Sequence, residues 1–145
     1  MRRDLYNQSD RFAWSGGYSY DARSLGANDL VKWVDLHREQ GLDLFTHSHG
    51  GNVAMLASNR GLRLGKLVLL SCPVQFRKYQ PNFGQVTKLV SIRVRLDLVI
   101  LADRCGQKFK DSRIRENVLP IWFDHTATHN PEVWKNSTYG IPAML

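Results

Sequence analysis

The sequence predicts an α/β protein with a largely parallel sheet of about five strands flanked by helices. Three observations predict it. Leu42–Thr46 and Lys66–Ser71 are short, mainly apolar runs, consistent with buried parallel strands. Stretches with helical spacing of apolar residues lie between such runs. Glycine or proline stands at the joints, at Gly41, Gly61 and Pro73, so strand-like and helix-like segments alternate.

Arg11–Ser15 (RFAWS) reads as a first short strand, ended by a Gly16-Gly17 turn and followed by a Tyr18–Arg23 loop. Ala27, Leu30, Val31 and Val34 fall at i, i+3, i+4 and i+7, one face of a helix that Trp33 widens and Gly41 stops. After the strand at 42–46 and the glycines at 50 and 51, Val53–Ala57 continues as a second helix ending at Gly61. The strand at 66–71 is closed by Pro73. Residues 75–90 read as a loop with a partial helix. Ile92, Val94 and Leu96 alternate with Arg93 and Arg95, the period of a strand, and the apolar run Leu98–Leu101 follows. Asn117–Phe123 is the last strand, and Pro120 inside it predicts an edge position or a bulge. Trp122 and Phe123 read as core. Pro131, Val133 and Trp134 open a short helix that covers the sheet.

The composition excludes several classes. At 145 residues, 43% hydrophobic and 23% charged, the chain can bury a core and is not a low-complexity disordered segment. No apolar run approaches the roughly 18–20 residues that span a bilayer. The start, Met1-Arg2-Arg3-Asp4-Leu5-Tyr6, carries charge without an apolar stretch after it, so no signal peptide is read and a cytoplasmic location is expected. Two cysteines, Cys72 and Cys105, exclude a disulfide framework and a four-cysteine zinc site, and read as free thiols. The sequons at Asn7 and Asn136 are read as chance. The net charge of +7 invites an anionic partner. Its densest stretch, Arg104, Lys108, Lys110, Arg113 and Arg115, is broken by Asp111 and lacks interleaved aromatics. It reads as a solvated basic loop, and no nucleic-acid partner is expected.

In open parallel sheets, sites form in the loops at the carboxyl ends of the strands. There the sequence reads Thr46-His47-Ser48-His49-Gly50-Gly51, a serine between a buried strand and a helix. This is the context of a nucleophile elbow, a strained turn that needs small residues two positions either side, here Thr46 and Gly50. Such a turn also aims the next backbone N–H, that of His49, at a developing oxyanion. A serine hydroxyl needs a base, and the base needs an orienting carboxylate. Asp97 stands where the alternating strand stops, and Asp103 is a second candidate after the apolar run. His125 follows the last strand, with His129 four residues later as its alternate. The chain order Ser…Asp…His is that of the α/β-hydrolases.

Leu42–Ala57 (LDLFTHSHGGNVAMLA) resembles the elbow and following helix of an α/β-hydrolase of the lipase/esterase kind. Lys66–Val74 resembles its next strand, Asp97-Leu98-Val99 the D-x-V that carries its acid, and Asp124-His125-Thr126 its histidine loop. The likeness covers roughly residues 10–135. It implies Ser48 as nucleophile, Asp97 as acid, His125 as base and the His49 N–H as one oxyanion donor, with no cofactor and no metal. It implies a small-molecule or lipid-like ester as substrate. Thr46 replaces the elbow's first glycine. The family has further strands before the one at Arg11, and one of their loops supplies the second oxyanion donor. Residues 1–145 are therefore expected to be a single domain of this kind without the N-terminal strands. An open first strand would favour self-association through the sheet edge.

Two rival readings use the same residues. A catalytically inactive remnant or binding module would keep the cleft without the chemistry. A metal hydrolase is the other, because His47-x-His49 resembles the start of the T-H-x-H-x-D-H motif of the metallo-β-lactamase fold. Gly51 and Asn52 stand where that motif has its carboxylate and third imidazole. Trp14, Tyr18 and Tyr20 read either as pocket lining or as packing.

Overall fold

The computed structural model describes residues 12–37, 40–75 and 77–145. The elements run α1 (Tyr20–His37), β1 (Leu42–His47), α2 (Gly50–Asn59), β2 (Leu64–Leu70), β3 (Val86–Leu96), α3 (Leu98–Ala102), β4 (Ile114–Trp122), α4 (Pro131–Lys135) and α5 (Ile141–Met144), with short 3₁₀ turns at Ala127–His129 and Ser137–Tyr139. The four strands form one sheet in the order β1-β2-β3-β4, and every pair is parallel. This is the predicted α/β class.

The sheet is covered on both faces. Leu67 and Leu69 of β2 join the core that α1 and α2 close with Ala27, Leu30, Val34, Val53 and Met55. Val68 and Leu70, pointing the other way, pack with Val90, Ile92, Leu119 and Ile141, against which Val133 and Trp134 also lie. Burial on both faces is why β2 reads as an unbroken apolar run. The helix predicted around Val133 thus covers the sheet as expected.

Five expectations need correcting. Residues 86–90, expected in a loop with a partial helix, are the first half of β3, and the described residues of 75–85 hold no helix. The strand expected to be buried at 42–46 is β1, an edge strand whose Asp43 and Phe45 are exposed. Residues 12–15 form no strand, and Arg11 lies outside the described residues. The apolar side chains of the segment lie on α1 instead: Phe12 meets the Trp33 ring edge-on at 6.4 Å, and Trp14 packs so closely over Gly26 that a Cβ there would sit 3.1 Å from the indole. The loop expected at 18–23 is the first turn of α1. Ser19 starts it, its Oγ accepting from Ala22 N–H at 3.1 Å. Trp122 and Phe123 are not core but 53% and 55% exposed, because β4 is an edge strand and Phe123 leaves it in the left-handed region at φ 66°.

Pro120 meets both predicted conditions. It lies on edge strand β4, where the pairing with β3 slips by one residue between Val94↔Leu119 and Leu96↔Trp122. Gly51 carries the close approach of α2 to β2, since a Cβ there would fall 2.5 Å from Cys72 Sγ and 2.9 Å from Leu69 Cδ2. Among the described residues no helix is long and apolar enough to cross a membrane.

Candidate active site

Ser48 is the first residue after β1 and its φ of 52° lies in the left-handed region. A non-glycine residue held there costs about 1–3 kcal/mol and persists only where its surroundings fix it. They do: Ser48 N–H donates to the Leu70 carbonyl at 2.8 Å, and the Ser48 carbonyl accepts from Gly51 N–H at 3.1 Å. The residues two positions either side come together as an elbow requires, for a Cβ on Gly50 would touch Thr46 Cβ at 3.8 Å. The reversal turns the chain from β1 directly into α2.

The same reversal sends the two flanking histidines to opposite sides. The His47 ring lies edge-on to His125 and His129, with centroids 4.7 and 4.3 Å away. The buried His49 ring instead faces Arg23 and Asp103, its Nε2 3.2 Å from Arg23 Nη2 and 3.2 Å from Asp103 Oδ2. His47 and His49 therefore do not converge as a ligand pair. Among the described residues no three His, Cys, Asp or Glu side chains are grouped to hold a metal ion.

Asp97 and His125 are brought together. The last residue before α3, Asp97 is fully buried, and its Oδ1 accepts from the N–H groups of Val99 and Ile100 at 3.1 and 3.2 Å. This is an N-cap, and it leaves Oδ2 free for another donor. That donor is His125 Nδ1, at 2.7 Å. A carboxylate only accepts, so Nδ1 carries a proton, and in the neutral imidazole the lone pair is then on Nε2. The Asp97 N–H is in turn held by Gln107 Oε1 at 3.0 Å.

The loop bearing His125 is tied down at several points. Phe123 N–H donates to the Leu96 carbonyl at 2.8 Å. The Asp124 carboxylate turns the chain by accepting from Thr126 and Ala127 N–H, and the Thr126 hydroxyl holds it below its ordinary pKa. Ser71 and Thr128 hydroxyls meet at 3.0 Å, and Trp134 Nε1 donates to the Thr128 carbonyl at 2.7 Å. His129, the alternate base, is exposed and packs on His47 rather than on a carboxylate. Asp103, the alternate acid, pairs with His49, and Arg23 Nη2 lies 4.0 Å away.

The His49 N–H opens α2 and makes no hydrogen bond among the described residues. The Ser48 hydroxyl likewise makes none. Tyr18 lies edge-on to the His49 ring at 5.2 Å although 74% of it is exposed, and Tyr20 stacks on Tyr79. An apolar rim of Leu98, Val99, Leu101, Trp122 and Phe123 is exposed around the Asp97–His125 end of the sheet. A cleft of about 1200 Å³ opens at the other end, where Leu64 and Val86 begin their strands, and none of these residues lines it.

Arg23 was not a candidate in the sequence. It is 2% exposed, donates from Nη1 to the Tyr79 hydroxyl at 3.0 Å, and abuts His49 behind the elbow. Its Nε, with His49 Nδ1 and Asn52 Nδ2, is a buried polar atom without a partner among the described residues. The signal was its spacing: Arg23 lies four residues before Ala27, on the helix face that Leu30 and Val34 continue. Burial and the neighbouring Arg23 cation lower the His49 pKa against the opposing pull of Asp103. Burial likewise lowers that of His47. The two cysteines are free and buried, and burial pushes the Cys72 thiol far above its ordinary value.

No family model, curated protein or solved structure matches the chain.

Proposed function

We propose that the chain is a serine hydrolase that cleaves an ester or related acyl bond with Ser48, His125 and Asp97. The observation that carries this reading is the 2.7 Å contact between His125 Nδ1 and Asp97 Oδ2, at the same end of the sheet as a serine in the left-handed conformation. The resemblance of residues 42–57 to the elbow of the α/β-hydrolases supports it independently.

In this mechanism Ser48 Oγ attacks the substrate carbonyl carbon while His125 Nε2 takes the hydroxyl proton. Asp97 keeps the proton on Nδ1 and stabilises the imidazolium that forms. The tetrahedral oxyanion receives the free His49 N–H. When the intermediate collapses, the bond to the alcohol oxygen breaks and His125 returns the proton to that oxygen. Water then attacks the acyl-serine by the same route and regenerates the hydroxyl. The exposed apolar rim of Leu98, Val99, Trp122 and Phe123 suits an apolar acyl or alcohol group.

A non-catalytic binding module is favoured by one observation, the absence of any hydrogen bond from the Ser48 hydroxyl among the described residues. Hydrolysis of a short-chain p-nitrophenyl ester by the purified chain separates the two. Turnover that disappears in Ser48→Ala supports the hydrolase, whereas a folded protein without turnover, or turnover that survives Ser48→Ala, removes it.

A further inference from the structure

β1 and β4 are the two edges of the sheet, with β2 and β3 between them. Ser48 follows β1 and His125 follows β4, so no strand pairing sets the position of one against the other. Two side chains of β1 reach across this gap, Phe45 to the Trp134 ring and His47 to the His125 loop itself. The Nε2 of His47 lies 3.1 Å from the main-chain carbonyl oxygen of His125. A carbonyl only accepts, so Nε2 of His47 carries a proton and donates it. The ring is packed between those of His125 and His129. Within His125 itself two atoms are held, the imidazole Nδ1 by Asp97 and the main-chain carbonyl by His47.

We infer that His47 is a positioning residue for the proposed base, linking the serine-bearing turn to the backbone of the His125 loop through its Nε2–H. The inference rests on the serine-hydrolase reading for its kinetic consequence, but its geometric consequence does not depend on catalysis. With Asp97 pinning Nδ1, the His47 anchor joins the other ties of this loop in setting where the ring's free Nε2 points. Displacing such a group by about 1 Å costs on the order of 100-fold in rate. Burial lowers the pKa of His47, which favours the neutral ring beside the base.

Two variants separate the donor from the packing. In His47→Gln a side-chain amide N–H can reach the same carbonyl; His47→Leu fills similar space without a donor. The full chain would be studied by fluorophosphonate inactivation across pH and by proton NMR of the downfield His125 Nδ1–H resonance. His47→Leu is expected to slow inactivation about 10–100-fold, to move its pH midpoint, and to broaden or lose the resonance. His47→Gln is expected to retain the resonance and a rate within about threefold of the parent. Equal behaviour of the two variants in rate and resonance would overturn the inference. If the parent chain is not labelled at Ser48, the hydrolase reading fails and the resonance alone decides. Retained in His47→Gln and lost in His47→Leu, it supports the anchor; unchanged in both, it refutes it.

Discussion

Asp97 and His125 lie 28 residues apart in the chain, yet the imidazole Nδ1 sits 2.7 Å from a carboxylate oxygen that has no water-exposed surface. The other carboxylate oxygen caps α3. One side chain therefore starts a helix and holds a histidine in a single tautomer.

This double use makes Asp97→Asn informative. The amide oxygen can still accept from Val99 and Ile100, so the fold is expected to survive. The carboxylate that fixes the His125 tautomer is lost, so serine reactivity is expected to fall on the order of 10⁴-fold. Asp97→Ala adds loss of the cap, about 1 kcal/mol. Parallel urea melts and inactivation rates of the two variants check both effects.

Gly51→Ala is expected to destabilise the protein by about 1–3 kcal/mol, because the added methyl must displace Cys72 and Leu69 from the β2 side of the helix. Gly50→Ala meets only Thr46 Cβ, at ordinary contact distance, and is expected to be milder. Urea midpoints of the two variants make the comparison.

The strands and the site residues are legible in the sequence to different degrees. β2 is readable because burial on both faces leaves an apolar run, β1 because its apolar residues lie between Gly41 and the turn at Ser48 although the strand is a half-buried edge, and the elbow because a serine flanked by small residues stands at the strand–helix joint. The segment at 12–15 misled because an aromatic-rich stretch has the same pattern whether it pairs in a sheet or, as here, lies on a helix. Trp122 and Phe123 misled because hydrophobicity does not reveal that a strand is an edge. Asp97 is legible as the acid from its place at the end of the alternating strand, but its second use as the cap of α3 is not, because the helix reads only as an apolar run.

Arg23→Met removes a buried cation that touches Tyr79 and His49 and lies 4.0 Å from Asp103. Because Asp103 is partly solvated, the cost is expected at about 1–3 kcal/mol, less than for a fully buried pair. Thermal unfolding of Arg23→Met, Asp103→Asn and the double variant reads the coupling; a strictly additive double variant would show the two do not interact.

Stability is expected to fall as pH drops below the ordinary histidine value of 6.5. His47 and His49 both have lowered pKa values in the folded chain. Between those values and 6.5 the unfolded chain binds protons that the native chain does not, so stability is retained above the window and lost on acidification through it. Urea midpoints from pH 7.5 to 5 measure the slope, which should flatten in His49→Asn.

The most direct measurement is fluorophosphonate labelling of the purified chain, read by intact mass and peptide mapping with Ser48→Ala as control. Activation of Ser48 by His125 and Asp97 predicts one label per chain, on Ser48, absent from the control. A folded chain that takes up no label, or takes it elsewhere, would contradict the account.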